Sequence, residues 1–281
     1  MKIAYGTYAL PQMMLEDAFP ALAQIGYDGV ELFIGPRHVG AMLDDFDPAR
    51  REQLRSILER TGLGLPAFMV YGSVYAPDRA AHLANLEAMR LYAQLARDLG
   101  MAEPPVLACG FGGRADEWDT IKEQMVEALA DYAVVAEEEG FIFAGEAHSG
   151  AAVDRSERVV WLLDEVNHPR ARFHFDIVHL FLAGEPIDEC VRTLVPYTAH
   201  THIMDARRYP DGSRDLLLLG DGDLDTVAYL RAMDEAGWDD FITLEVSTLI
   251  WGRDDYDAMA AARHSYETLT RAFAEAGVAR T

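Results

Sequence analysis

Four segments in the second half of this 281-residue chain close on a residue able to bind a metal: Phe143-Ala144-Gly145-Glu146, Phe173-His174-Phe175-Asp176, His200-Thr201-His202 and Thr243-Leu244-Glu245. Three carboxylates and one imidazole suit Mn²⁺, Mg²⁺, Co²⁺ or Zn²⁺ and leave coordination positions for a substrate. Taken singly, each could merely cap a strand, because polar residues are common there. Gathered at one point without a cation, they would repel one another or shift their pKa values at considerable cost. A metal that chelates a carbonyl and its neighbouring hydroxyl acts as a Lewis acid, stabilising the enediolate formed when the α-proton leaves. A glutamate beside the substrate carbon can take that proton. Its return to the adjacent carbon is isomerisation and its return to the other face is epimerisation; departure of a β-substituent makes the enzyme a lyase.

Such convergence requires four strands ending at one level. Short apolar runs rich in β-branched and aromatic residues alternate with longer amphipathic segments, the pattern of successive βα units around a parallel sheet. Strands are expected at Ile3 to Tyr8, Gly29 to Ile34, Leu63 to Val70, Pro105 to Cys109, Phe141 to Glu146, Ala171 to Asp176, Thr198 to Ile203 and Phe241 to Val246. Helices are expected at Leu15 to Ile25, Pro48 to Arg60, Asp78 to Leu99, Asp116 to Glu139 and Tyr256 to Ala274, with Gly26, Gly62, Gly100 and Gly140 as stops. Eight units with no GxGxxG after the first strand favour a single α/β domain over residues 1–281. Its expected form is a (β/α)8 TIM barrel with the active site at the C-terminal face of the strands.

Composition narrows the partners. The 47 acidic and 24 basic residues give a formal net charge of −23, which repels nucleic-acid backbones and anionic lipid surfaces. The N-terminal Met1-Lys2-Ile3-Ala4-Tyr5-Gly6 lacks the pattern of a signal peptide and no run reaches membrane-spanning length, so a cytoplasmic location is expected. Cys109 and Cys190 fit no CxxC pattern and read as buried thiols.

The order of the motifs resembles the xylose isomerase-like superfamily, sugar phosphate isomerase/epimerase branch. The resemblance is carried by Phe141 to Ser149, Phe175-Asp176-Ile177-Val178-His179, His200-Thr201-His202-Ile203-Met204-Asp205, Leu219 to Asp225 and Thr243-Leu244-Glu245, with Ile25 to Phe33 matching the opening. It implies that Glu146, Asp176, His202 and Glu245 bind one divalent metal, commonly Mn²⁺, and that Glu146 and Glu245 exchange protons with the substrate. It also implies that His179 and Arg208 contact substrate, and that the protein is a homodimer or homotetramer. The expected substrate is a small sugar, sugar acid or keto-polyol. The same metal site would serve a lyase such as an inosose or 3-dehydroshikimate dehydratase, or the metal-binding subunit of a C-glycoside deglycosidase. A non-catalytic or DNA-binding barrel is the reading from another class.

Around these ligands, His148 shares a side with Glu146 and is expected to reach the substrate. His174 and His200 fall one layer deeper, as hydrogen-bonded supports. Asp205 reads either as a polar partner of Arg208, His202 or substrate, or as a turn residue. Trp251 could stack on a sugar ring, while His38, His82, His168 and His264 read as structural or surface residues. Arg207, Arg208 and Arg214 could hold a phosphate or carboxylate. Gly150-Ala151-Ala152-Val153 stands where ketose 3-epimerases carry a further glutamate, which argues against a free-ketohexose 3-epimerase. Endonuclease IV has extra zinc-binding histidines where this chain has Ala67-Phe68-Met69, Ala108-Cys109-Gly110 and Asp211 to Leu219. Abasic-site DNA repair is therefore not expected.

Overall fold

The computed structural model describes residues 1–281. Ten strands form, in chain order β1 (Lys2–Gly6), β2 (Gly29–Ile34), β3 (Phe68–Ser73), β4 (Val106–Gly110), β5 (Ile142–Glu146), β6 (Ala171–Asp176), β7 (Thr198–Ile203), β8 (Asp205–Arg208), β9 (Arg214–Leu217) and β10 (Phe241–Leu244). The helices are α1 (Leu15–Ile25), α2 (Pro48–Thr61), α3 (Arg79–Asp98), α4 (Trp118–Glu139), α5 (Ser156–Val166), α6 (Ile177–Ala183), α7 (Ile187–Leu194), α8 (Thr226–Glu235), α9 (Thr248–Trp251) and α10 (Ala258–Ala276). Eight strands close a parallel barrel in the order β1-β10-β7-β6-β5-β4-β3-β2, the (β/α)8 architecture. No helix is long and apolar enough to cross a membrane.

Alternation along each strand sorts its side chains between barrel interior and helix layer. On β6, Phe175 points outward to Tyr229 of α8, with ring centroids 6.2 Å apart, leaving His174 and Asp176 to face inward. On β5, Phe143 packs against Tyr132 of α4 at 4.5 Å, and Glu146 faces inward. The residue before Glu146 has to be glycine, because a Cβ on Gly145 would lie 2.1 Å from the Phe111 ring. Left-handed glycines end three of the expected helices, with φ of 117° at Gly26 and 71° at Gly62 and Gly140.

Three boundaries depart from the sequence reading. The third strand runs from Phe68 to Ser73, later than Leu63 to Val70, because Pro66 has no N–H for the ladder and Gly64 makes only an isolated bridge with Gly29. The first strand stops at Gly6, and a tight turn over Thr7–Ala9 carries Tyr8 over the barrel mouth. That turn is fastened by Thr7 Oγ1, which accepts a hydrogen bond from the Phe33 amide at 2.8 Å. After β7 the chain forms an antiparallel hairpin, β8–β9, that the sequence reading lacked.

Candidate metal centre and substrate cavity

Each proposed ligand sits where its strand gives way to a loop. Asp176 ends β6 and caps α6: Oδ1 accepts from the Val178 amide at 2.9 Å, which turns Oδ2 toward the barrel axis. Glu146 ends β5, His202 lies next to the end of β7, and Glu245 follows β10, its amide donating to the Ile203 carbonyl at 3.1 Å. Asp176 and Thr243 both pair with His202, whereas Glu146 pairs with His174, so the ligands step along the tilted strands. The tilt still brings them together. One donor atom from each of Glu146, Asp176, His202 and Glu245 lies within 4.8 Å of all the others.

The electrostatics of the cluster suit a cation. Burial, and then the neighbouring Glu245, raise the Glu146 carboxyl well above the ordinary range and push Asp176 up to about 7. Burial by itself would lower His202, but Glu31 and Glu245 outweigh it and hold the imidazole well above its usual value. Two like charges 4 Å apart repel by roughly 4 kcal/mol in protein surroundings. Nδ1 of His202 and Oδ2 of Asp176 are buried without hydrogen-bond partners, each an omission worth about 1–3 kcal/mol. A divalent cation between them satisfies both, so the residues present fit one.

His202 is also held from behind. Its Nε2–H donates to Oε2 of Glu31 at 2.7 Å, and Nε2–H of His200 donates to the same oxygen at 2.7 Å. These two histidines bring Glu31 down to about 2 although burial opposes them. A carboxylate that accepts from Nε2 fixes the tautomer and leaves Nδ1 as the free lone pair, the arrangement that orients histidine toward a metal. The sequence reading missed Glu31. Its signal is a charge in mid-strand among apolar residues, which burial tolerates only with a partner.

The remaining candidates separate. His148 lies at the cavity wall, and its ring is 3.9 Å from that of His179. His179 is buried, with Nε2 3.4 Å from Oδ2 of Asp176 and Nδ1 3.3 Å from Oγ of Ser149; burial, and then His148, keep it neutral. His179, Asp205 and Arg208 are not among the residues that line the cavity. Asp205 takes the turn-residue role: Oδ1 accepts from the Ala206 and Leu224 amides at 2.8 and 3.0 Å, and Oδ2 from Gly220 at 2.9 Å. Both carboxylate oxygens are thus committed to the backbone and the side chain is buried, and Gly222 is needed beside it because a Cβ would lie 2.2 Å from Oδ1. Arg208 sits over the Phe181 ring at 4.7 Å. Arg207 is engaged by Asp223 at 3.3 Å and the Asp221 carbonyl at 2.7 Å. His200 has the hydrogen bond expected of a support, but His174 has none on either ring nitrogen.

Glu146 and Glu245 open onto a cavity of about 520 Å³ whose far wall holds Tyr8, Phe33, His38 and Trp251. The rings meet closely, Tyr8 to Phe33 at 4.8 Å and Tyr8 to Trp251 at 5.3 Å. His38 lines the cavity and fits the structural of its two readings, its Nε2 bonding the Tyr8 carbonyl at 2.8 Å. Arg37 crosses the Trp251 face at 5.1 Å from a left-handed backbone, φ 71°, a conformation costly for a residue with a Cβ. It is the single Arg or Lys lining this cavity. Cys109 and Cys190 are free and buried.

The family model described as a xylose isomerase-like TIM barrel matches residues 19–272. The chain belongs to this family. An inosose dehydratase of Clostridium perfringens is 24% identical over 160 residues, a match spanning 52% of this chain and 52% of that protein. A fructoselysine 3-epimerase of Escherichia coli O157:H7 is 22% identical over 89% of this chain and 91% of its own length. Among solved structures, the IolI protein with a bound zinc atom superposes with a TM-score of 0.79 at 19% identity, covering 98% of each chain. The relatives of this xylose isomerase-like chain thus include both an epimerase and a dehydratase.

Proposed function

We propose that this protein is a divalent-metal-dependent isomerase or epimerase acting on a small sugar, sugar acid or keto-polyol. The observation that carries the reading is the convergence of Glu146, Asp176, His202 and Glu245 within 4.8 Å on one rim, with both glutamates open to the cavity. These four residues would hold the ion, which we take to be Mn²⁺, because three carboxylates and one imidazole are a predominantly hard donor set. Bound there, the ion would supply Lewis-acid polarisation of a substrate carbonyl.

The chain's own residues account for the proton transfers. Glu146 is largely buried yet lines the cavity, which places it to act as a base beside a substrate carbon. Glu245, across the cluster, delivers or receives the second proton. His148 bonds a substrate hydroxyl with the neutral His179 packed behind it, while the ring wall of Tyr8, Phe33 and Trp251 takes the non-reacting apolar face and excludes water. Arg37 meets an anionic group, so we favour substrates carrying a carboxylate or phosphate.

The inosose dehydratase relative supports a second reading, a lyase that begins with the same proton abstraction and ends with loss of a β-substituent. Incubating manganese-loaded protein in D₂O with ketoses, inososes, keto acids and 3-keto-glycosides separates the two. Deuterium gain at unchanged formula marks isomerisation or epimerisation; loss of water or an aglycone marks a lyase. No exchange with any of these compounds overturns both. We also propose a cytoplasmic homo-oligomer, dimer or tetramer, in keeping with the absence of a membrane-spanning helix.

A further inference from the structure

Below the rim lies a second convergence that the proposed reaction does not use. Glu31, His174, His200 and His202 present one donor atom each within 4.8 Å of one another, and all four side chains are sealed from solvent, at 0, 0, 2 and 1% exposure. They come from β2, β6 and β7, with His174 and His200 two residues before the rim ligands Asp176 and His202. The His174 ring stands 4.1 Å from that of His202 and 4.9 Å from that of His200. Neither of its nitrogens has a hydrogen-bond partner, and Oε1 of Glu31 is likewise unpartnered. A histidine kept only for packing would be outperformed there by leucine or phenylalanine, because each unpaired buried nitrogen costs about 1–3 kcal/mol.

We infer that these residues form a second, deeper cation site, distinct in chemistry from the rim. Three imidazole nitrogens and one carboxylate oxygen are the donors of a closed tetrahedral zinc site, whereas the rim set, richer in oxygen, favours Mn²⁺ or Mg²⁺. The charges fit, since one buried carboxylate offsets half of a divalent ion. His200 and His202 would join through Nε2 only by giving up the protons they donate to Glu31: that of His200 can move to its own Nδ1, whereas His202, ligated through both nitrogens, would become an imidazolate that releases one proton to solvent and lies between the two ions, Nδ1 to the rim and Nε2 to the interior. His174, without a hydrogen bond in the metal-free arrangement, gains its partner.

The test is metal stoichiometry. Chelated, metal-free protein is dialysed against micromolar Zn²⁺ and its metal content measured by mass spectrometry, for the wild type, His174→Leu and Glu245→Gln, with circular dichroism as the control for folding. Two zinc ions per chain in the wild type and one in each variant are expected, and with excess Mn²⁺ and one equivalent of Zn²⁺ the wild type should hold one of each. One zinc per chain, lost in Glu245→Gln and kept in His174→Leu, overturns the deeper site and leaves the proposed reaction standing. The reverse pattern removes the rim site and with it that reaction. Should His174→Leu not fold, a wild-type content of one zinc per chain overturns the inference and a content of two, with one kept in Glu245→Gln, supports it.

Discussion

Glu31 and His202 are 171 residues apart in sequence and 2.7 Å apart in the barrel. The other imidazole nitrogen, Nδ1, faces Glu245 at 3.5 Å and Glu146 at 3.8 Å. One ring is therefore fixed from behind by a carboxylate and aimed forward at the ligand cluster. Replacing Glu31 by glutamine supplies a group that can donate as well as accept, and the tautomer is no longer enforced. Glu31→Gln should weaken Mn²⁺ binding by roughly 10–100-fold, the usual effect of losing such a partner. Titration calorimetry measures it, and an unchanged affinity would show that Glu31 does not orient His202. Glu31→Ala goes further by leaving two buried imidazoles without an acceptor and should cost about 3–5 kcal/mol of stability.

The two glutamates that line the cavity are the groups placed to move protons. Glu146→Gln and Glu245→Gln preserve shape and remove the base, so each should slow deuterium exchange into substrate by about 10²–10⁴-fold. Because both also belong to the ligand cluster, metal content must be measured on the same samples. A variant that keeps its metal and full exchange takes its glutamate out of the chemistry.

Chelation should alter how stability depends on pH. In the metal-free protein, burial and Glu245 lift Asp176 to about 7 from an ordinary 3.8, and Glu146 is raised likewise. A carboxyl that binds its proton more tightly when folded favours the fold while protonated, so stability falls as pH climbs from about 4 to 7. His202, raised above 6.5 by Glu31 and Glu245 against the opposing effect of burial, extends that fall to higher pH. Glu31 acts in the other direction: lowered to about 2 from 4.5, it contributes stability above pH 4.5 that disappears toward pH 2. Burial holds His174, His179 and His200 below their ordinary 6.5, which acts against that fall up to pH 6.5, so the chelated protein should be most stable at about pH 6 and lose on the order of 5–10 °C in melting temperature by about pH 9. Saturating Mn²⁺ should flatten the upper limb, since the ion replaces the protons. Equal slopes with and without metal would contradict the ligand assignment.

Much of this was legible because barrel strands advertise themselves locally. Apolar runs such as Ile142 to Glu146 and Ala171 to Asp176 carry both their period and their ends, and the ligand at each end follows. What escaped depends on contacts between distant segments. Glu31 looks like any charge in an apolar strand until His200 and His202 close over it. Asp205, two residues past the ligand strand β7, resembles a site residue, yet three backbone amides occupy its oxygens. The β8–β9 hairpin was hidden by Tyr209 to Ser213, whose proline and glycine read as loop. The cavity wall is assembled from the segments after β1, β2 and β10, and no spacing along the chain places Tyr8, His38 and Trp251 together.

Arg37 offers a test of substrate class. It holds a left-handed backbone at φ 71° and lays its guanidinium over Trp251, 5.1 Å from the ring, with only a 3.5 Å contact to Oγ1 of Thr248 and no carboxylate partner. A cation on the cavity wall without a carboxylate partner would draw an anionic substrate group to itself. Arg37→Met keeps an unbranched apolar stem against the indole but removes the guanidinium and its charge. It should raise KM about tenfold or more for substrates bearing a carboxylate or phosphate, the equivalent of about 1.4 kcal/mol, with little change in kcat. Neutral members of the same series should be unaffected, because they make no charge contact with the guanidinium. An equal rise in KM for charged and neutral substrates would mean that Arg37 shapes the wall and does not read charge.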